Sequence, residues 1–169
     1  MKLNWFPKEE NHKNTIPADI LYLSDRWNSK NKSILIICNS NKYSNEFNKL
    51  NITTLSINDL KHNLNTSSPA QFDYILCYHS LSELYFEECE KVLLFLSQSL
   101  KENGEIYLTI LSKDSYFYKH HTPNNNLYVN KNELVRLLQP LLIKNIEYTK
   151  RIKQDNKINP HYYILASRK

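Results

Sequence analysis

The stretch from Phe72 to Ile110 constrains this chain more than any other. Phe72-Asp73-Tyr74-Ile75-Leu76-Cys77-Tyr78 is an apolar run of strand length, and His79-Ser80-Leu81-Ser82-Glu83 switches the chain to polar residues. Tyr85, Cys89, Val92, Leu93, Leu96 and Leu100 then recur at helical spacing, which predicts one apolar stripe on a helix from after Ser82 to about Leu100. Lys101-Glu102-Asn103-Gly104-Glu105 turns the chain into a second apolar run around Ile106-Tyr107-Leu108-Thr109-Ile110. Strand, helix and strand in this order form a βαβ unit, whose strands pair in parallel because the helix returns the chain to its starting edge.

The rest of the chain continues the alternation. Thr15-Ile16-Pro17 opens a helix, with Thr at a capping position and Pro in the first turn, and Ile20, Leu23 and Trp27 share one face. Ser33–Cys38 is apolar on both faces, as a central parallel strand covered by helices on each side requires. Tyr43, Phe47 and Leu50 mark a short helix, and 52–57 is β-branched and strand-like. Asn58 is placed to cap a brief helix carrying Leu60 and Leu64. Asn130 with Glu133 reads as a capping box before the apolar face Leu134, Leu137 and Leu138, and Pro140 ends that helix. Leu141–Thr149 and His161–Ser167 are strand-like, and the segment 151–160 between them suits an antiparallel hairpin but is too short for a helical crossover.

These elements predict an α/β fold: a mostly parallel sheet of about six strands, helices on both faces and a C-terminal antiparallel β-hairpin. Residues 1–14 are polar and read as an N-terminal extension, and 15–169 read as one domain. The net charge of +5 comes from lysines spread along the chain, and arginine, which reads base edges and clamps phosphates, occurs only four times. This argues against a nucleic-acid interface and for a solvated basic surface. No run reaches the ~18 apolar residues of a membrane span. Cys38, Cys77 and Cys89 show no paired spacing, so a reducing, cytoplasmic setting is expected.

Several segments together resemble the class I S-adenosylmethionine-dependent methyltransferases. Phe72-Asp73-Tyr74-Ile75 is similar to that family's fourth strand, F-D-x-I or F-D-x-V. Leu100-Lys101-Glu102-Asn103-Gly104-Glu105 resembles its L-K-P-G-G turn, with Glu102 and Asn103 in place of Pro and the first Gly. The ending His161–Lys169 looks like its last strand, an apolar run closing in a basic tail. The resemblance covers about residues 15–169 and implies a Rossmann-like sheet, S-adenosylmethionine as cofactor and methyl transfer to a small-molecule acceptor. The chain departs from the family at the first strand. A glycine-rich turn, roughly D-x-G-x-G-x-G, is expected there, but Cys38-Asn39-Ser40-Asn41-Lys42-Tyr43-Ser44 contains no glycine, and Gly104 is the only glycine of the 169 residues. Asn tolerates the positive φ such a turn needs, but it cannot vacate the space of a side chain. A catalytically inactive descendant of the fold, acting as a binding or regulatory protein with a protein partner, is therefore the alternative reading. A second departure is that only one strand lies between Ser33–Cys38 and the FDYI strand, where the family has two, so 52–57 is expected to pair beside 33–38.

The resemblance places Cys38, Asn39, Asn41, Asp59 and Tyr78 at the cofactor. Asp59 would take the position of the acid that hydrogen-bonds the ribose hydroxyls, unless Asn58-Asp59 simply cap the next helix. His79 ends the FDYI strand on the side where ligands bind in such sheets. It is either a general base near the acceptor or a residue that closes the strand, with Ser82 as N-cap and Glu83 favoured by the helix dipole. His120-His121 with Asp114 lack a third ligand at matching spacing, so no metal is expected.

Overall fold

The computed structural model describes residues 16–38, 43–64, 70–115, 118–119, 127–152 and 158–169. Helix α1 spans Ala18–Arg26, strand β1 Ser33–Ile37 and strand β2 Asn51–Leu55, with a 3-10 turn at Ser44–Phe47 before β2. Helix α2 (Ile57–Asn63) leads to β3 (Phe72–Cys77), and a second 3-10 turn, Ser80–Glu83, precedes α3 (Phe86–Gln98). Then come β4 (Leu100–Ser112), the two-residue β5 (Tyr128–Val129), α4 (Lys131–Leu137), β6 (Leu141–Ile152) and β7 (Ile158–Arg168).

Six strands run in the order β2-β1-β3-β4-β7-β6, and the two-residue β5 pairs with β4 off this path as a seventh strand of the described sheet. β1, β2, β3, β4 and β5 pair in parallel; β7 is antiparallel to both β4 and β6. The C-terminal antiparallel hairpin expected from the sequence forms, and it inserts its second strand between β4 and its first. β2 lies at the edge beside β1, so the shortened strand count costs the sheet an edge strand and not an interior one.

Strand alternation divides the core into two layers. Leu35, Ile37, Ile75 and Cys77 join Val92, Leu93, Leu96 and Leu134 on the α2, α3 and α4 side. Ile34, Ile36 and Leu76 join Ile20, Leu23, Trp27, Phe47 and Leu50 on the α1 side. The apolar stripes read from the sequence are these faces, except that Tyr85 is exposed.

Element starts differ from the sequence reading. Pro17 occupies the N-cap of α1, so the helix begins one residue later, and Thr15 lies outside the described residues. Ser56, not Asn58, caps α2: its Oγ accepts the Asp59 N–H, and the Asp59 carboxylate accepts the Ser56 N–H. Ser82 is not the cap of α3. Its hydroxyl donates to the His79 carbonyl inside the 3-10 turn, while Tyr85 precedes α3 and gives its N–H to Glu88. The Asn130–Glu133 capping box of α4 forms as expected. β4 begins at Leu100 because the turn 101–104 is a bulge within the strand: three residues of β3, Phe72 to Tyr74, face six of β4, Leu100 to Glu105.

Candidate functional site

Two ends of the sheet carry different chemistry. At the amino end, two acids, Asp73 near the start of β3 and Glu105 just after the β4 bulge, are buried and paired. Asp73 accepts hydrogen bonds from Lys32 Nζ (2.9 Å), Lys101 Nζ (2.8 Å) and the main-chain N–H and hydroxyl of Ser33. Glu105 accepts from Arg26 through both carboxylate oxygens (2.6 and 3.0 Å), from Trp27 Nε1 (2.8 Å) and from Lys144 Nζ (2.8 Å). Burial pushes both carboxyls up, but the donors outweigh it. Lys101, Lys32 and Ser33 hold Asp73 well below the usual carboxylate range, and Arg26, Lys144 and Trp27 hold Glu105 at about 2. These bonds join β3 and β4 to α1, β1 and β6, which gives both acids a structural task. The FD pair read as a family signature serves here to tie β3 to the start of β1 and to the β4 bulge.

The carboxyl end is where the chain reverses its direction across the sheet. From β1 the chain moves outward to β2; from β3 it moves the opposite way to β4. β1 and β3 are adjacent, with Ile37 beside Cys77, so their carboxyl ends flank a switch point, the place where open α/β sheets bind ligands. Cys38, half-buried, leaves β1 there and donates its N–H to the Leu55 carbonyl of β2. Asn39 and Asn41 lie outside the described residues, as do His120 and His121. Asp59 stands beyond the end of β2 in the first turn of α2, exposed to solvent. Its Oδ2 accepts from Ser56 Oγ and Ser56 N–H, and these hydrogen bonds lower its pKa. Asp59 therefore does cap α2, while the same carboxylate faces solvent at the edge where a ribose acid is expected. The Asp59 carboxylate is an acceptor that faces solvent, a group to which the hydroxyls of a sugar diol can donate.

β3 delivers the other half of the site. Tyr78 is buried, its ring edge-on to Tyr43 at 5.4 Å, so its side chain belongs to the α1-side core and only its main chain borders the switch point. His79 follows in the left-handed conformation, φ 59° and ψ 2°. A non-glycine residue held there costs on the order of 1–3 kcal/mol and persists only where its surroundings impose it. The surroundings are explicit. The His79 N–H donates to Thr109 Oγ1 at 2.7 Å, Ser82 Oγ takes up the His79 carbonyl at 2.7 Å, and Ser80 Oγ donates to the last carbonyl of β1, Ile37, at 2.6 Å. The half-buried imidazole stands edge-on to Tyr78 (4.3 Å between centroids) and to His161 (4.8 Å), and its Nδ1 is 3.5 Å from Thr109 Oγ1.

Thr109 and His161 are absent from the sequence-based site. Thr109 lies within β4, and His161 lies in the first half of β7, 82 positions beyond His79 in the numbering (161 minus 79). Only the antiparallel insertion of β7, which sets His161 opposite Leu111, brings the two imidazoles together. The one signal available beforehand was a histidine at the start of an otherwise apolar terminal strand.

No protein-family profile matches this chain, and no curated protein matches it in sequence. Solved structures do match. A methyltransferase from Methanosarcina mazei that depends on S-adenosylmethionine superimposes with a TM-score of 0.60 at 11% identity, over 86% of this chain and 96% of that one. TehB from Haemophilus influenzae gives 0.61 at 14% identity over 91% of this chain and 63% of its own. The 1,6-didemethyltoxoflavin-N1-methyltransferase of Burkholderia thailandensis, solved with 1,6-didemethyltoxoflavin and S-adenosylhomocysteine, gives 0.62 at 11% identity over 88% and 76%. The fold is that of the S-adenosylmethionine-dependent methyltransferases. At these identities the likeness is one of fold; the site residues above stand on their own geometry.

Proposed function

We propose that this chain binds S-adenosylmethionine along the carboxyl ends of β2, β1 and β3 and transfers its methyl group to a small-molecule acceptor. The observation that carries the reading is the switch point between β1 and β3: a strained, half-buried histidine follows β3, and across β1 the end of β2 leads into α2 and Asp59. The cofactor would supply an electrophilic methyl group on a sulfonium. The Asp59 carboxylate would accept hydrogen bonds from the ribose hydroxyls. The main chain from Cys38 through Asn39 and Asn41 would border the methionine part, with the two asparagines taking the φ values that glycine usually takes. Tyr78 would contribute its main chain, and His79 would face the acceptor. Methyl transfer needs mainly alignment of nucleophile and methyl group, so holding both partners at one edge is the larger part of the catalysis.

Titration calorimetry with S-adenosylmethionine and S-adenosylhomocysteine tests the reading. Binding tighter than about 100 μM, worth about 5.5 kcal/mol, is expected. Asp59→Ala should weaken it by about 10-fold or more, the worth of a hydrogen bond to a charged group. Ser56→Ala breaks the same helix cap but keeps the carboxylate, so it should bind nearly as the native chain does; equal losses in both variants would remove Asp59 from the cofactor site. No heat at millimolar ligand would overturn methyl transfer and favour the non-catalytic reading, in which the glycine-free turn has closed the site and the fold serves a protein partner.

A further inference from the structure

Beyond the methyl-transfer reading, the structure points to the residue that sets the proton arrangement of His79. Thr109 Oγ1 lies 2.7 Å from the main-chain nitrogen of His79 and 3.5 Å from its Nδ1. One hydroxyl oxygen thus faces two nitrogens of one residue, and its two lone pairs can receive both. The geometry is fixed from both sides. Thr109 is buried on β4, paired with Tyr163 of β7, and the left-handed backbone of His79 aims its N–H at β4. His161 closes one side of the ring at 4.8 Å. The 3.5 Å separation is at the long end of hydrogen bonding, a length common for catalytic contacts before substrate arrives.

We propose that Thr109 is a positioning residue that accepts Nδ1–H of His79, so that the neutral imidazole keeps its proton on Nδ1 and carries its lone pair on Nε2. In a neutral imidazole the hydrogen bond made by one nitrogen decides the state of the other. The consequence for chemistry rests on the methyl-transfer reading. An acceptor whose nucleophile is an O–H or N–H gives its proton to Nε2 as the bond to the methyl carbon forms and the carbon–sulfur bond breaks. The sulfonium becomes a thioether, and the imidazole becomes an imidazolium whose Nδ1–H remains on Thr109. The opposite arrangement, with the Thr109 hydroxyl donating to Nδ1, would put the proton on Nε2 and leave no base facing the acceptor.

A long-range proton–nitrogen correlation spectrum of the isotope-labelled full chain, recorded with His79 neutral, separates the two. His79→Asn identifies the signal. The expected result is an Nδ1–H tautomer in the native chain, a shift toward Nε2–H in Thr109→Val, and a return to Nδ1–H in Thr109→Ser. An Nε2–H tautomer in the native chain overturns the proposal without any variant being needed. So does an unchanged tautomer in Thr109→Val, or in Thr109→Ala should the valine chain fail to fold. The measurement uses no methyl donor. Failure to bind S-adenosylmethionine would therefore remove the base role while the tautomer result stands, and a wrong tautomer would leave donor binding untouched.

Discussion

Asp73 and Glu105 are both buried acids at the amino end of the sheet, yet the sequence announces them unequally. Asp73 sits in a recognisable F-D pair, although its donors on Lys32 and Ser33 come from the start of β1, about 40 positions away. Glu105 looks like a solvated turn residue, and nothing local predicts that Arg26, Trp27 and Lys144 converge on it. The pairing has a measurable consequence. The folded pKa of Glu105, about 2, lies below its ordinary 4.5, so the folded state binds fewer protons than the unfolded chain in between. That stabilisation is present above pH 4.5 and is lost as the pH falls through about 2. Urea melts across this window should show stability falling with acid, and the slope should flatten in Glu105→Gln. At neutral pH Glu105→Gln should cost about 1–3 kcal/mol: it removes the charge that Arg26 and Lys144 bind and replaces one acceptor oxygen by an NH2 that faces donors, while both cations are part-exposed and regain water.

Among the elements, the apolar stripes were the most legible feature because burial of one face is what makes a helix or strand form in water. Their ends were less legible because a cap depends on one or two hydrogen bonds that several neighbouring polar residues can offer. Ser56 and Asn58 both stand before the α2 stripe, and Ser56 takes the cap because Asp59 falls at the third helical position after it and returns a bond to its N–H. Before α3, the left-handed turn at His79 absorbs Ser80 and Ser82, and the helix starts later. The bulge in β4 shows why a single glycine survived. Asn103 takes the left-handed conformation, φ 64°, and Gly104 is needed for space instead: a Cβ would meet the Lys101 carbonyl at 3.0 Å, the Asp73 carbonyl at 3.1 Å and Leu100 Cδ2 at 3.1 Å. Gly104→Ala must displace the Lys101 and Asp73 carbonyls by a few tenths of an ångström, a strain on the bulge and on its junction with β3. A loss of about 1–3 kcal/mol is expected, as for overpacking generally. Differential scanning calorimetry should record it as a fall in Tm of several degrees.

At the scale of the whole molecule, the last strand in sequence is an interior strand of the sheet. β7 pairs with β4 from Glu105 to Leu111 on one side and with β6 on the other. Removing residues 140–169 would leave a long apolar strand edge on β4 and uncover Tyr107 and Ile110, so the remainder should lose its cooperative urea transition rather than lose a terminal ornament. A sharp transition in the truncated chain, followed by circular dichroism, would mean that the parallel half holds itself together. The same deletion takes away His161, which links the folding of the chain's end to the state of the candidate site.

What the sequence determined by itself is local: where apolar faces recur, that β and α alternate, and that the final two strands must form a hairpin because their connection is too short for a helix. These follow from periodicity and chain length, which act between near neighbours. It also placed His79 and Asp59 at strand ends, since those positions depend only on where each run stops. Only the tertiary structure decided that β2 is an edge, that β7 enters between β4 and β6, that Glu105 is a buried counter-charge, and that Thr109 and His161 meet His79. Each of these depends on pairing between segments far apart in the chain, where one register out of many brings specific side chains within hydrogen-bonding reach, and no spacing along the sequence carries that information.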